Sequence, residues 1–121
     1  MIRIKRVYEA AEAADGARFL VDRLWPRGVS KEKLQLTAWL KEAAPSNELR
    51  KWYHHDLEQW SDFKRRYEKE LEAAPEAWAP LVEAARKEKS VTLLYSSHET
   101  ERNNAAVLKE FLERRLGKKK T

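Results

Sequence analysis

Three short segments of the chain carry the apolar pattern of β-strands. Residues 2–7 alternate apolar and basic side chains, residues 17–24 have a continuous apolar centre, and residues 91–96 are apolar nearly throughout. Alternation with a period of two is typical of a half-buried strand, whereas a continuous apolar run is typical of a buried strand in a parallel sheet. The pattern therefore predicts a small sheet with residues 91–96 in its middle.

Apolar residues at three- and four-residue steps predict helices between these strands. The clearest helix spans residues 57–73, with an apolar stripe of Trp60, Phe63, Tyr67 and Leu71. Further helices are predicted over 31–43, 78–88 and 103–116, with Gly117 as a C-cap, and Ser46 is a candidate N-cap for a short helix through Trp52. Strands that alternate with helices indicate an α/β fold with a small, largely parallel, three- to four-stranded sheet flanked by helices.

Composition places this fold in a single small domain. The chain has 121 residues and no cysteine, which excludes disulfides, cysteine-zinc sites and thiol nucleophiles. We expect residues 1–117 to form one domain and residues 118–121 to form a basic tail that contributes much of the net charge of +5. Because no apolar run is long enough to span a bilayer and the N-terminus does not resemble a signal peptide, we expect a cytoplasmic protein without a membrane partner.

Polar residues follow two of the predicted strands. The second predicted strand has Asp22 and Arg23 among its last residues, and Trp25 and Arg27 follow it. The third predicted strand ends in Tyr95 and Ser96, and a second serine follows. Ligands of open α/β sheets bind beyond the carboxyl ends of the strands, so both sets would lie at one edge if the strands are parallel. The alternative is structural: an Asp-Arg ion pair beside a packed Trp-Pro corner.

The last helix would begin beside these residues. A helix N-terminus near Asn103 favours anions, and two nearby arginines strengthen that preference. We therefore expect Arg23 and Arg27 to hold an anion such as a phosphate, a carboxylate or the edge of a nucleotide, with Asp22 and Asn103 orienting it and Trp25 forming a wall.

Histidine chemistry has a second candidate position. His55 oriented by Asp56 could transfer protons, but the role that we favour for the pair is structural, with Asp56 as a helix cap and His55 half-exposed. A metal site built from these two residues and His98 lacks any recognised ligand spacing, so we expect no metal. The chain has only three glycines and no glycine-rich phosphate loop or nucleophile elbow, and we expect no cofactor.

Nucleic acid is the alternative partner. Arginine and tryptophan interleave at Arg27 and Trp25, at Arg50 and Trp52, and at Trp60 near residues 65–66, and stacking combined with charge is how proteins bind single strands. Because Trp60 belongs to the predicted core stripe and residues 65–66 to the opposite, solvated helix face, we favour amphipathic packing over a binding surface. A nucleic-acid-binding or protein-interaction module that uses the basic surface and tail stays open.

The motifs resemble those of the YeaO-like family, a bacterial and archaeal family of unknown function. The resemblance covers nearly the whole chain and rests on VDRLWPRG at residues 21–28, APS at 44–46, ELRKW at 48–52, His55-Asp56, TLLY at 92–95 and the segment 103–108. It implies a small α/β fold and no particular activity, and its polar motif positions add Arg50 and Tyr95 to the candidate ligand residues. The chain departs from the family pattern at His54, His98-Glu99 and Asn104, where relatives often carry Gly, a basic residue followed by Asp, and His.

Overall fold

A computed structural model describes residues 1–54 and 56–117 of the chain. Within these residues the strands are β1 (Ile2–Arg6), β2 (Ala17–Leu20), β3 (Ala38–Trp39) and β4 (Val91–Tyr95), and the helices are α1 (Lys31–Leu34), α2 (Asn47–Trp52), α3 (Leu57–Ala73), α4 (Pro75–Lys87) and α5 (Asn104–Gly117). Two 3-10 helices span Ala13–Asp15 and Lys41–Ala43. No helix in the described ranges is long and apolar enough to cross a membrane.

The four strands form one sheet in the order β1-β4-β2-β3, and every pairing is parallel. Ile4 and Phe19 both lie opposite Leu93, and Leu20 lies opposite Trp39. All five residues of β4 are buried, which fits a strand that is paired on both sides. The predicted fold class, a small parallel sheet flanked by helices, is confirmed, as is the interior position of β4.

Alternate residues of the central strands pack on opposite faces of the sheet. Phe19 and Leu93 belong to the larger core cluster, to which α3, α4 and α5 contribute their buried side chains. Leu20 and Leu94 belong to a smaller cluster with Leu34 of α1. Because side chains alternate across a strand, the continuous apolar runs supply both clusters at once.

The predicted helix over residues 31–43 is wrong. Helix α1 ends at Leu34, Gln35 takes the left-handed conformation with φ 47°, and the chain then runs extended as β3. The Thr37 N–H donates to the Arg18 carbonyl at 2.7 Å, and the Leu40 N–H donates to the Leu20 carbonyl at 2.9 Å. Pairing with the free edge of β2 therefore overrides the helical periodicity of this segment, which sequence reasoning could not detect.

Several helices and strands begin or end at residues other than those predicted. The strand predicted over 17–24 ends at Leu20. The N–H of Val21 still donates to the Leu94 carbonyl at 3.1 Å. At the next residue the Asp22 side chain, in place of the backbone, accepts the hydrogen bond from the Ser96 N–H. Helix α4 begins at Pro75, because proline is well suited to the first turn, and Gly117 is the last residue of α5 instead of a cap beyond it.

The helix predicted over residues 57–73 is confirmed at both ends. Phe63, Tyr67 and Leu71 are buried on its inner face, and the ring of Trp60 stacks at 5.8 Å from that of Phe63. The short helix α2 is confirmed as well, with the Ser46 hydroxyl accepting a hydrogen bond from the Leu49 N–H at 3.1 Å.

A buried cluster of charges lies beside the start of β2. Asp15 is fully buried, and its carboxylate accepts hydrogen bonds from Lys5 and from Arg18, which is 4% exposed. The Thr92 hydroxyl donates to the Asp15 carbonyl at 2.7 Å, so the turn that carries Asp15 is attached to β4. Burial on its own raises the pKa of Asp15. The hydrogen bonds from the Glu12 N–H, Lys5 and Arg18 outweigh that effect, so the pKa lies below its usual value.

Candidate functional site

A cavity of about 450 Å³ opens beyond the carboxyl ends of β2 and β4. We call it the strand-end cavity. Its polar lining consists of Asp22, Arg23, Arg27, Arg50, Ser96, Ser97 and Asn104. Its apolar lining consists of Tyr8, Leu24, Trp25, Pro26, Pro45, Tyr53 and Phe63. The cavity therefore lies where parallel α/β sheets bind their ligands.

Asp22 forms the centre of a hydrogen-bond network that closes the inner end of the cavity. Its Oδ2 atom accepts from the Ser96 N–H at 2.9 Å and from the Ser96 hydroxyl at 2.7 Å. Its Oδ1 atom accepts from the Asn104 side-chain amide at 3.1 Å, and that amide also donates to the Val21 carbonyl at 2.9 Å. Burial raises the pKa of the Asp22 carboxyl, although these hydrogen bonds act in the opposite direction.

Arg23 holds one wall of the cavity in place. Its Nε atom donates to the Pro45 carbonyl at 3.3 Å, and its Nη2 atom donates to the Ala44 carbonyl at 3.1 Å. The remaining nitrogen, Nη1, lies 3.5 Å from the Glu42 carboxylate. All three nitrogens of the guanidinium group thus have protein partners, and Arg23 positions the turn that leads into α2.

The same turn is held from α3. The Tyr67 hydroxyl donates to the Ala43 carbonyl at 2.5 Å. The Glu70 carboxylate accepts from the Ser46 N–H at 2.9 Å and from the Ser46 hydroxyl at 2.6 Å. Helix α2, which carries Arg50 to the cavity, therefore begins from a turn fixed by contacts with two other elements.

The opposite wall is held by Arg6. Its guanidinium group donates to the Ser97 carbonyl at 2.9 Å and to the Ser96 carbonyl at 3.2 Å, and lies 4.9 Å from the ring centre of Tyr8. The Tyr8 hydroxyl in turn donates to the Arg27 carbonyl at 3.1 Å. Nothing in the sequence indicates this role of Arg6, because a strand-end arginine carries no sign of which carbonyls it binds.

Arg27 and Arg50 are the lining arginines with exposed guanidinium groups. Within the described residues the Arg27 side chain has no hydrogen bond or ion pair. The Arg50 side chain makes one surface hydrogen bond, from Nη2 to the Asn47 amide oxygen at 3.3 Å. Both groups therefore have donors that face solvent at the cavity mouth.

Trp25 forms part of the apolar wall, as predicted. Its ring meets that of Trp39 edge to face at 5.3 Å, and its indole N–H donates to the Val29 carbonyl at 2.7 Å. Pro26 beside it is buried, and Gly28 takes φ 75°, a conformation that glycine adopts without strain. The Trp-Pro corner is thus both packed and part of the cavity.

Two of the predicted ligand residues lie outside the cavity lining. Tyr95 and Asn103 are 2% and 1% exposed. The Asn103 side chain accepts a hydrogen bond from the Ala106 N–H at 2.8 Å and donates to the Glu99 carbonyl at 2.8 Å, so it caps the start of α5. The next residue, Asn104, lines the cavity in its place, and the signal that could have indicated it was its position on the first turn of α5.

The predicted histidine chemistry has no support from the described residues. His55 lies outside them, and Asp56 is exposed and absent from the cavity lining. The Asp56 side chain accepts from the Glu58 N–H at 3.1 Å, which is the helix-capping alternative. Across residues 1–54 and 56–117, no group of three or more His, Cys, Asp or Glu side chains could hold a metal ion.

The interleaved arginines and tryptophans are used mainly for packing. The Arg66 guanidinium lies 4.3 Å from the ring centre of Trp52, Trp60 packs against the core, and Arg65 pairs with Asp62 at 2.8 Å. The predicted basic tail, residues 118–121, lies outside the described residues. These contacts match the amphipathic alternative.

Comparisons with known proteins place the chain in a family. A family profile described as the inactive DUF488-N3 subclade matches residues 1–121, and the chain belongs to this DUF488 family. The protein YeaO of Escherichia coli K12 is 45% identical over 111 residues, which are 92% of this chain and 96% of YeaO. The proteins Mb3100c of Mycobacterium bovis and Rv3073c of Mycobacterium tuberculosis are each 40% identical over 111 residues, or 92% of both chains. The predicted YeaO-like membership is confirmed, and no solved structure matches the chain.

Proposed function

We propose that this protein binds a small anionic molecule in the strand-end cavity, with Arg27 and Arg50 as the groups that contact the anion. The observation that carries the proposal is that the lining arginines differ in their exposure and in their hydrogen-bond partners. The guanidinium nitrogens of Arg23 contact two protein carbonyls and a carboxylate. Arg27 and Arg50, in contrast, have exposed guanidinium groups at the same cavity. Arginine binds phosphate and carboxylate groups through paired N–H donors, which suits this role.

The charge of the lining favours an anion. Asp22 is the one carboxylate among the described lining residues, and three hydrogen-bond donors from Ser96 and Asn104 already occupy it. Three arginines line the same cavity, so positive charge exceeds negative charge there. Exposed arginines also attract anions over a distance, and salt screens this attraction.

The chemistry of the residues that line the cavity supports ligand binding without a catalysed reaction. No histidine is among the described lining residues, and the Ser96 hydroxyl, a possible nucleophile, donates its hydrogen to Asp22 within a fixed network. The subclade to which the chain belongs is described as inactive. We therefore favour a ligand-binding protein over an enzyme, and the proton-transfer role of His55 and Asp56 stays a prediction.

Thermal unfolding with added anions tests this proposal. The probes are inorganic phosphate, sulfate and acetate at constant ionic strength, added to the wild type and to the double variant Arg27→Ala/Arg50→Ala. A ligand at 100 times its Kd stabilises the folded state by about 2.7 kcal/mol, which a rise in Tm reports. We expect at least one anion to raise the Tm of the wild type and the double variant to lose that rise.

The matched control is Lys31→Ala/Lys51→Ala. It removes the same amount of charge from exposed residues of α1 and α2 that do not line the cavity, one of them next to Arg50. This control should keep the full rise in Tm. A wild type that responds to no anion, or a double variant that responds as the wild type does, would contradict the proposal.

A mixed oligonucleotide serves as a further probe for the alternative partner. The anion proposal predicts weak binding with a shallow salt dependence. Tight binding with a steep salt dependence that survives Arg27→Ala/Arg50→Ala but is lost without residues 118–121 would instead favour a nucleic-acid-binding module, because counterion release scales with the number of phosphate contacts.

A further inference from the structure

The charged groups of the strand-end cavity differ in burial, and this inference rests on the proposed function. The half-buried Arg23 is held by protein acceptors, so the contrast is between two exposed arginines and one half-buried carboxylate. Arg27 and Arg50 are exposed, whereas Asp22 is half-buried and joined to the strand ends. A ligand that fills the cavity therefore places its anionic group at the mouth and another part of itself against a carboxyl group. A simple inorganic anion satisfies only the first of these two requirements.

Asp22 has room for one more hydrogen-bond donor. Its Oδ2 atom already accepts two hydrogen bonds from Ser96, but within residues 1–54 and 56–117 its Oδ1 atom accepts a single one, from Asn104. A carboxylate offers about four acceptor positions, so one position at Oδ1 is open. The ligand should carry an O–H or N–H group that reaches this atom.

Tyr8 supplies a surface for a planar ring. It is 51% exposed, a large fraction for an aromatic residue that lines a cavity. Its hydroxyl is bonded to the Arg27 carbonyl and the Arg6 guanidinium lies over its ring, so the side chain is held beside the proposed anion site. An aromatic ring in such a position stacks with the faces of nucleobases.

We propose that the ligand is a nucleoside monophosphate. Its phosphate contacts Arg27 and Arg50, its base packs against Tyr8, and a ribose hydroxyl or base N–H donates to Asp22. The cavity volume of about 450 Å³ falls within the range of roughly 300–1,000 Å³ that is typical of small-molecule sites, and it exceeds what a phosphate ion alone would fill.

Calorimetric titration with a graded series of probes tests this proposal. The series is inorganic phosphate, ribose 5-phosphate, and the monophosphates of adenosine, guanosine, cytidine and uridine. We expect at least one nucleoside monophosphate to bind about tenfold or more tightly than ribose 5-phosphate, the gain provided by one stacked base. Tyr8→Ala should remove this gain, and any change that it makes in the affinity for ribose 5-phosphate should also appear in Tyr8→Phe, which loses the same hydrogen bond to the Arg27 carbonyl.

Tyr8→Phe is the matched variant. It keeps the ring and removes only the hydroxyl, and the exposure of Tyr8 makes both variants compatible with folding. Tyr8→Phe should keep the preference for the nucleotide. Equal affinities for ribose 5-phosphate and all four nucleotides, or a preference that survives Tyr8→Ala, would overturn the nucleotide proposal and leave anion binding intact. If ribose 5-phosphate and the nucleotides fail to bind while phosphate, sulfate or acetate still raises the Tm through Arg27 and Arg50, only the nucleotide proposal falls. If none of these probes binds, both proposals fall.

Discussion

Asp22 and Ser96 are joined by two hydrogen bonds, since one carboxylate oxygen accepts from both the backbone N–H and the hydroxyl of the serine, at 2.9 and 2.7 Å. The two residues follow β2 and β4, the paired strands in the middle of the sheet. The backbone pairing ends with the bond from Val21 to Leu94, and this side chain then continues it. The same two residues therefore end the pairing of β2 with β4 and line the inner end of the strand-end cavity.

The two buried aspartates should titrate in opposite directions. Burial raises the pKa of Asp22, whereas hydrogen bonds from the Glu12 N–H, Lys5 and Arg18 overcome burial and lower the pKa of Asp15. Carboxyl ¹³C chemical shifts followed against pH should place Asp15 below, and Asp22 above, the usual aspartate pKa of about 3.9. A titration in which Asp22 loses its proton at a lower pH than Asp15 would contradict the described network.

These shifts have opposite consequences for stability. The contribution of Asp15 is present above the pKa of the unfolded chain and is lost as the pH falls through its lower folded pKa. Asp22 favours the folded state most below the pKa of the unfolded chain, and that contribution falls as the pH rises through its higher folded pKa. In chemical denaturation across the acid range, Asp15→Asn should therefore remove part of the loss of stability at low pH.

Asp15→Asn should also be strongly destabilising at neutral pH. The change removes the charge that compensates buried Arg18, and one nitrogen of that guanidinium, Nη2, already has no hydrogen-bond partner in the described part of the chain. Breaking a buried ion pair from one side costs about 3–5 kcal/mol, which urea denaturation measures. The control Asp62→Asn breaks an exposed pair with Arg65 and should change stability little. Equal losses in the free energy of unfolding would show that the buried Asp15 cluster contributes no more to stability than an exposed ion pair.

Arg23→Ala should weaken folding more than its partial exposure would indicate. The variant leaves the carbonyls of Ala44 and Pro45 without their described donor, and unsatisfied buried acceptors cost about 1–3 kcal/mol each. Arg65→Ala, on the exposed face of α3, is the control for loss of an arginine. Urea denaturation should separate the two variants by at least about 1 kcal/mol. Similar midpoints would mean that Arg23 does not position the turn.

Gly16 and Gly28 should respond differently to the same substitution. Both have positive φ angles, 65° and 75°, so an alanine at either position is strained by roughly 1–2 kcal/mol. A Cβ atom at Gly16 would also collide with the backbone carbonyl of Ser90, whereas a Cβ at Gly28 would have no neighbour within 4 Å. Thermal unfolding should therefore show a much larger loss of Tm for Gly16→Ala. A greater loss for Gly28→Ala would contradict the described packing at Gly16.

The pattern of apolar residues was sufficient to predict the elements whose apolar positions are regular or continuous. Helix α3 could be predicted to the residue because its apolar stripe is long and regular, and β4 could be placed inside the sheet because its apolar run is unbroken. Strand β3 could not be predicted. Its two residues become a strand through backbone pairing with β2, and nothing in the local sequence encodes that pairing.

The candidate site shows the same limit. The strand-end rule indicated Asp22, Arg23, Trp25 and Arg27 because each follows β2 directly, and all four line the cavity. The rule could not separate an arginine that holds carbonyls from one that faces solvent, since that difference depends on which turns the fold brings close. It also selected Asn103 over Asn104, because a one-residue change at a helix start rotates the side chain by about 100°.

The turn that Arg23, Tyr67 and Glu70 hold in place determines what binding would cost in entropy. The carbonyls of residues 43–45 and the N–H of Ser46 all have protein partners outside the turn, so the protein itself holds this wall in place. A ligand that enters a preorganised wall does not have to order the backbone that receives it. The conformational cost of binding then falls on the long side chains of Arg27 and Arg50, whose rotamers alone must be restricted.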